Sequence, residues 1–104
     1  MTLGEHLKTL RENKGLALRQ LAAMLELDQS TLSKYENGHR LPTKEQIVKI
    51  AKIYKIKEKE LLTLYYAEQL STIIINSGLD KSILCVAEEQ VEYKKAKLKE
   101  GTKK

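Results

Sequence analysis

The amino-acid sequence predicts an all-α fold, and three observations support this class. Pro occurs once and Gly five times among 104 residues, so long segments contain no helix-breaking residue. Leu, Ile and Ala recur every three or four residues along these segments, which is the spacing of a buried helix face. Runs of β-branched residues are rare outside Ile73–Ile75. Because Phe and Trp are absent, the core must be small and built from Leu, Ile, Ala and Tyr.

The charge balance and the cysteine content narrow the class of protein. Nineteen Lys and Arg against fourteen Asp and Glu give a net charge of +5, which permits nucleic-acid binding but is also common on inert surfaces. The N-terminus lacks a signal-peptide pattern, and no apolar run approaches the ~18 residues of a membrane span. We therefore expect a soluble cytoplasmic protein that enters no membrane. The single Cys85 cannot form an internal disulfide, and its apolar helical surroundings predict a packed thiol.

Residues with catalytic or metal-binding chemistry form no recognisable arrangement in the sequence. His6 and His39 have no Cys or carboxylate nearby at the spacing of metal ligands. The chain also lacks a Ser-His-Asp arrangement, a Gly-rich phosphate loop and a pair of carboxylates suited to acid–base catalysis. The sequence therefore predicts a protein that is not an enzyme and needs no cofactor or metal.

The first helix is predicted to begin at Thr2 and to end before Gly15. Glu5 follows Thr2 at the three-residue spacing of a capping box. Leu3, Leu7 and Leu10 form its buried stripe, and Gly15 suits the left-handed position that follows a helix.

Two short helices with a tight turn between them are predicted next. The second helix covers about 18–25, with inward-facing residues Leu18, Leu21, Ala22 and Leu25. Asp28 is a good N-cap for the third helix, which covers about 29–37 and stops at Gly38.

Thr43 is predicted to cap a fourth helix, with Gln46 completing a second capping box. Its apolar face comprises Ile47, Ile50, Ala51 and Tyr54. A fifth helix starts near Glu58 and carries Leu61, Leu62 and Tyr65, so five helices joined by short turns fill about 66 residues.

The third helix is mostly polar. On a helical wheel Leu32 and Tyr35 share one side, and the opposite side holds Ser30, Ser33, Lys34 and Asn37, with Gln29 at its edge and Thr31 on the other flank. Gln, Lys and Ser side chains can bond to base edges, so this face suits a DNA major groove. An ordinary solvated helix face is the alternative, and composition alone favours it.

The spacing of the second and third helices favours a DNA-binding face over an ordinary solvated one. A short helix, a three-residue turn and a second short helix form the unit that presents a recognition helix. The segments "KGLALRQLAAMLELDQSTLSKYENGHRLPT" (14–43) and "IVKIAKIYKI" (47–56) resemble the Cro and phage-repressor-like (XRE-type) helix-turn-helix regulators. The resemblance covers about 3–66. It implies a five-helix phage-repressor-like domain over 1–66 that binds double-stranded DNA.

The same resemblance implies roles for individual side chains. Gln29, Ser30 and Lys34 match the base-contacting positions of the family, with Thr31 and Ser33 as secondary candidates. The positions that match phosphate contacts, which fix register without distinguishing sequence, are Arg19, Asn37, Arg40 and Thr43.

Two positions depart from the family pattern. Ala17 replaces the usual Ser or Thr, so the second helix loses a side-chain N-cap worth about 1 kcal/mol. Glu26 stands where Gly is frequent, and a left-handed backbone there would be mildly strained.

Two charged residues border the predicted core. Glu36 lies close to Leu32 on the helical wheel, and Arg11 lies one turn from Leu7. A buried unpaired charge is costly, whereas opposite charges on two packed helices satisfy each other. We therefore predict an Arg11–Glu36 ion pair, which the family resemblance also implies, with Arg11 near enough to the DNA backbone to contact a phosphate. Independent exposure of both charges to solvent is the alternative.

The residues after the family domain are predicted to form C-terminal helices over 67–98 and a flexible basic tail over 99–104. Helix is favoured for 71–75, with a short strand as the alternative because three Ile are consecutive. Asp80 is expected to cap the last helix, and a Lys in its apolar seam argues against a long coiled coil. Apolar helical segments need burial, so we expect them to form a dimer interface through Leu70, Ile73, Ile74, Leu84, Ala87 and Val91. Packing back on the first and fifth helices is the alternative.

The sequence thus predicts a DNA-binding transcriptional regulator that binds an inverted-repeat operator as a homodimer. Repression, including autoregulation, is favoured, and activation from an upstream site is the alternative. Within this class it does not separate a phage repressor from an antitoxin-type autoregulator or a restriction–modification controller. The alternative is an interaction module whose C-terminal helices bind a protein partner such as a toxin.

Overall fold

The computed structural model describes residues 1–102, with side chains through Glu100, and contains six helices in that range. They are α1 (Leu3–Asn13), α2 (Leu18–Met24), α3 (Gln29–Glu36), α4 (Lys44–Tyr54), α5 (Glu58–Ser77) and α6 (Ile83–Thr102). No strand occurs among these residues. The all-α prediction is confirmed. The chain divides into two compact units, Met1–Gln69 and the residues from Leu70 onward, close to the boundary predicted at 66.

The first unit has a small aliphatic core. Its fully buried large side chains all come from the predicted apolar faces: Leu3, Leu7, Leu21, Leu25, Leu32, Ile47, Ile50 and Leu61. Ala22, Tyr35, Ala51 and Tyr54 complete the buried set of apolar residues. Their burial supplies most of the favourable free energy of folding, because apolar area removed from water is the dominant stabilising term.

Side-chain caps fix the beginning of α1. The Glu5 N–H donates to Thr2 Oγ1 and the Thr2 N–H donates to Glu5 Oε1, each over 3.1 Å, so the predicted capping box is present. The Leu3 N–H donates to Glu68 Oε1 over 2.9 Å, which ties this helix end to α5. At the other end Gly15 is left-handed, with φ +68, as predicted.

The second predicted capping box is only half formed. The Gln46 N–H donates to Thr43 Oγ1 over 3.2 Å, so Thr43 is the N-cap of α4. However, Gln46 Oε1 is buried and has no hydrogen-bond partner among the described residues, so it does not return to the Thr43 N–H. The expectation for Gln46 was wrong because its side chain turns toward the protein and not back along the helix.

The second unit begins within α5, and 71–75 is helical, so the strand alternative is wrong. Helix α5 ends at Ser77, followed by left-handed Gly78 with φ +71. The prediction that Asp80 caps α6 was wrong. Asp80 Oδ1 accepts from the Ser82 N–H over 2.7 Å in a turn that precedes the helix start at Ile83. Helix α6 extends through Thr102, and residues 103–104 of the predicted tail lie outside the described residues.

Two further features concern the surface of the chain. The Cys85 thiol is exposed, so the prediction of a packed thiol was wrong. Its apolar helical neighbours Leu84 and Val86 are 46% and 54% exposed, which leaves no local core to receive it.

Among residues 1–102, no helix combines the length and apolar content needed to cross a membrane.

Candidate nucleic-acid interface

The turn between α2 and α3 is closed by two backbone hydrogen bonds. The Glu26 N–H donates to the Ala23 carbonyl over 3.1 Å, and the Leu27 N–H donates to the Ala22 carbonyl over 2.9 Å. This pattern is a Schellman motif, which requires a left-handed residue directly after the C-cap. Glu26 is that residue, with φ 57, and Leu25 before it is fully buried. The turn therefore fixes the angle at which α3 leaves α2, at the cost of a strained Glu26.

We expect Glu26→Gly to raise the free energy of unfolding by about 1 kcal/mol, because glycine adopts the left-handed region without a Cβ penalty. Chemical denaturation of the purified chain measures the change. Glu26→Ala is the matched control, since it removes the same side chain but keeps the Cβ, and it should give no gain. Equal changes in the free energy of unfolding for the two variants would show that relief of backbone strain at Glu26 does not cause the gain.

The start of α2 lacks a side-chain N-cap, as predicted from the alanine at position 17. The methyl group of Ala17 accepts no hydrogen bond, and the Ala17 N–H donates to Gln20 Oε1 over 2.7 Å. Gln20 thus supplies the return half of a capping box whose first half is missing.

Helix α3 is capped by Asp28 and anchored by three buried residues. The Thr31 N–H donates to Asp28 Oδ1 over 2.7 Å, and hydrogen bonds from Thr31 lower the pKa of the Asp28 carboxyl. Leu32, Tyr35 and Glu36 are buried on the inner side of the helix. A cap at one end and an inner stripe hold α3 in place while leaving its outer side exposed.

The outer side of α3 is polar and carries the residues predicted to contact bases. Gln29, Ser30 and Lys34 are exposed, whereas Thr31 and Ser33 are half-buried. Ser33 Oγ accepts from Asn37 Nδ2 over 3.3 Å, so this hydroxyl has an intramolecular partner. The structure therefore brings together one amide, one hydroxyl and one ammonium group on a single accessible helix face.

The residues predicted to contact phosphates are exposed on α2 and around the loop after α3. Arg19 is exposed in the first turn of α2, and Asn37, Arg40 and Thr43 are exposed after α3. Left-handed Gly38, with φ +77, lets the His39 N–H donate to the Lys34 carbonyl over 2.9 Å, which turns the chain sharply toward Arg40. The Thr43 hydroxyl already serves as the N-cap of α4.

Arg11 and Glu36 form the expected ion pair between α1 and α3. Arg11 Nε and Nη2 donate to Glu36 Oε2 and Oε1 over 2.8 and 3.0 Å, in a bidentate geometry. The two side chains are 11% and 4% exposed, so the pair is largely shielded from solvent. The hydrogen bonds from Arg11 to Glu36 raise the pKa of the guanidinium.

The geometry does not favour the phosphate contact predicted for Arg11. Besides its two bonds to Glu36, Arg11 donates through Nη1 to the Leu16 carbonyl over 2.7 Å. All three guanidinium nitrogens therefore have partners within the chain, and little of the side chain reaches the surface. These bonds use three of the five guanidinium N–H groups, so Arg11 supports α3 and its phosphate contact stays a prediction.

Gly4 is a supporting residue that sequence reasoning missed. A Cβ at Gly4 would lie 2.6 Å from the carbonyl oxygens of both Tyr35 and Glu36. The backbones of α1 and α3 thus approach at a distance that only glycine permits. The available signal was the position of Gly4 on the stripe of Leu3 and Leu7, where a glycine inside a helix usually has a packing reason.

The residues predicted to form a dimer interface lie in the second unit. Leu70, Ile73, Leu84 and Val91 are 50%, 61%, 46% and 48% exposed, and Ile74 and Ala87 are half-buried. In the described part of the chain, no group of His, Cys, Asp or Glu side chains could hold a metal ion.

A family model described as helix-turn-helix matches residues 7–61, which is more than half of the chain and includes α2, α3 and the turn between them. The chain belongs to the XRE-type helix-turn-helix regulators.

Two relatives of this helix-turn-helix chain support the assignment. It is 34% identical over 73 residues to the HTH-type transcriptional activator BcrR of Enterococcus faecalis, a match that covers 70% of the chain and 34% of BcrR. It is 31% identical over 62 residues to the HTH-type transcriptional regulator ImmR of Bacillus subtilis strain 168, covering 60% of the chain and 49% of ImmR. The chain thus spans only a third to a half of the length of these relatives.

Two solved structures share the fold. The crystal structure of the clp gene regulator ClgR of Corynebacterium glutamicum has a TM-score of 0.54 at 23% identity, covering 72% of this chain and 88% of that one. A structure of a SinR protein/SinI protein complex has a TM-score of 0.55 at 22% identity, covering 91% of this chain and 99% of that one. The helix-turn-helix fold is therefore shared even where sequence identity is low.

Proposed function

We propose that the chain is a sequence-specific, double-stranded-DNA-binding regulator that binds an inverted-repeat operator as a homodimer. The observation that supports this proposal is the outer face of α3. Gln29, Ser30 and Lys34 are exposed there, while the inner side of the helix is buried against the core. In this role Gln29 bonds to adenine, Lys34 donates to guanine, and Ser30 contacts either. Thr31 and Ser33, which are half-buried, flank this face as secondary contacts.

The exposed groups on either side of α3 position the helix on the duplex. Arg19 and Arg40 supply cationic phosphate contacts, and the Asn37 amide and the Thr43 hydroxyl supply neutral ones. The two arginine contacts provide affinity that falls as the salt concentration rises, and none of the four contacts distinguishes sequences.

Occupation of an operator regulates transcription by controlling access of RNA polymerase to the promoter. We favour repression, including repression of the chain's own gene, because exclusion of polymerase needs only DNA binding. Two recognition helices related by a two-fold axis would lie one DNA turn, about 34 Å, apart and match an inverted repeat.

Gel-shift titration against DNA from upstream of the coding region tests the base contacts. We expect Gln29→Ala combined with Lys34→Ala to weaken specific binding by about 100-fold, since each good base contact contributes about 1–3 kcal/mol. Nonspecific binding should change much less. Lys52→Ala is the matched control because Lys52 is an exposed lysine near the opposite end of α4 from Thr43.

The same titration separates base contacts from phosphate contacts. Arg40→Ala should weaken binding to all sequences alike and reduce the slope of log K against log salt by about 0.9. Unchanged specific binding by the Gln29/Lys34 double variant would show that α3 is not the base-contacting helix.

An interaction module is the second candidate function. The exposed apolar side chains of the second unit favour it, because such surfaces commonly bind another protein. In that case a protein such as a toxin would bind the C-terminal helices, and the helix-turn-helix would act as a scaffold. Absence of any sequence-selective DNA binding by the wild-type chain would favour this candidate over the first.

A further inference from the structure

Helix α6 carries an apolar row that is largely exposed to solvent. Leu84, Val91 and Leu98 recur at seven-residue intervals and are 46%, 48% and 70% exposed. Ala87 lies between the first two on the same side. A seven-residue repeat of apolar side chains is the pattern by which one helix packs lengthwise against another.

The charges of α6 are divided between its two halves. Residues 83–92 contain three Glu and no Lys or Arg, a net charge of −3. Residues 93–102 contain four Lys and one Glu, a net charge of +3. A second copy of α6 running in the opposite direction would bring each half against the half of opposite sign, whereas a parallel copy would bring like charges together.

We infer that α6 pairs with α6 of a second copy in antiparallel orientation, with Glu88 facing Lys95 of the second copy and Lys95 facing its Glu88. This deepens the homodimer of the proposed function and rests on it.

The heptad positions define this register. With Leu84, Val91 and Leu98 at the first position, a, Ala87 and Lys94 take the fourth, d, and Glu88 and Lys95 take the fifth, e. In an antiparallel pair a packs against d of the other helix and the e positions face each other. Ala87 therefore packs against Leu98 of the second copy, and two Glu88–Lys95 contacts form by symmetry.

Lys94 disfavours the parallel arrangement. In a parallel pair the d positions face each other, so two Lys94 ammonium groups would meet in the seam. In the antiparallel pair Lys94 instead packs against Val91, with its aliphatic stem along the valine and its ammonium group in solvent.

The contacts within α6 leave Glu88 and Lys95 available. Lys97 is already engaged, since its Nζ lies 5.7 Å from the centre of the Tyr93 ring and 3.9 Å from Glu100 Oε2. Neither Glu88 nor Lys95 has an ion-pair partner within residues 1–102. Glu88 also lies one turn from Glu92, a like-charge spacing that a facing lysine would relieve.

Charge reversal in the full chain tests the orientation, with the dimer dissociation constant measured by analytical ultracentrifugation. Glu88→Lys alone and Lys95→Glu alone should each raise this constant at least about tenfold, because two attractive contacts become repulsive. An equimolar mixture of the two variants should form a heterodimer about as tight as the wild type. Failure of the mixture to restore association would overturn the antiparallel register, as would a wild-type chain that stays monomeric at about 100 μM.

Disulfide formation provides a second, geometric test in a Cys85→Ala background. Chains with Ala87→Cys should cross-link to chains with Leu98→Cys, because these positions face each other in the antiparallel pair. Ala87→Cys chains alone should not cross-link, since their two sulfurs would be about 16 Å apart along the axis. Efficient cross-linking of Ala87→Cys chains to one another would indicate a parallel pair and overturn the inference.

Neither test depends on α3. Loss of DNA selectivity with an intact antiparallel dimer would reject the proposed function alone, and selective DNA binding by a chain without this dimer would reject the inference alone.

Discussion

Glu36→Ala is expected to lower the free energy of unfolding by about 3–5 kcal/mol, which is a large share of the stability of a domain this small. The physical reason is the state in which Arg11 would be left. Its guanidinium is largely buried and would keep only the Leu16 carbonyl as a partner. Removing one partner of a buried ion pair leaves an uncompensated charge and is strongly destabilising. Replacing both partners by apolar side chains of similar volume changes the stability much less. Urea denaturation followed by circular dichroism measures the change.

The double variant Arg11→Met with Glu36→Leu is the matched control. It removes both charges and keeps side chains of similar volume, so it should recover most of the lost stability. Glu36→Gln should fall between the two, because its amide oxygen still accepts one hydrogen bond but carries no charge. A loss below about 1 kcal/mol in Glu36→Ala would indicate a solvent-screened pair and contradict the burial argument.

The functional consequence of this pair is orientation of α3. Glu36 lies on the last turn of α3, directly inward from the exposed Lys34. A pair that is fixed by two hydrogen bonds restricts rotation of the helix about its axis, which keeps the outer side chains in a constant direction. We therefore expect Glu36→Ala to weaken specific DNA binding even at temperatures where the chain remains folded.

Features that depend on residues close together in the sequence could be predicted from the sequence. Thr2, Asp28 and Thr43 cap α1, α3 and α4 because an N-cap depends on one side chain and the N–H three residues later. The Arg11–Glu36 pair was predictable for a related reason. Each charge lies on an otherwise apolar helix face, and only a partner of opposite sign makes both positions tolerable.

Features that depend on tertiary surroundings could not be predicted in the same way. The direction of the Gln46 side chain depends on which groups surround the start of α4, which the local sequence does not specify. The exposure of Cys85 could not be predicted from the spacing of apolar residues. An apolar stripe indicates that a helix face favours burial, but it does not indicate whether residues of the same chain bury it. The exposure of Gln29 and Lys34 was predictable, whereas the bases that we propose they contact depend on the operator.

Gly4→Ala is expected to lower the free energy of unfolding by about 3 kcal/mol. A Cβ at this position would lie 2.6 Å from two carbonyl oxygens of α3, and these are backbone atoms that cannot move aside by changing a rotamer. The helices α1 and α3 would have to separate, which would also lengthen the hydrogen bonds between Arg11 and Glu36.

The sign of the effect makes this a sharp test. In an uncrowded helix position, Gly→Ala stabilises by about 1 kcal/mol, because alanine has the better helix propensity. A destabilised Gly4→Ala therefore requires the close approach of α1 and α3, and Gly4→Ser, with one more atom, should be at least as unstable. Thermal or urea denaturation of both variants decides the matter. A Gly4→Ala variant that is more stable than the wild type would show that the two backbones are farther apart than the structure indicates.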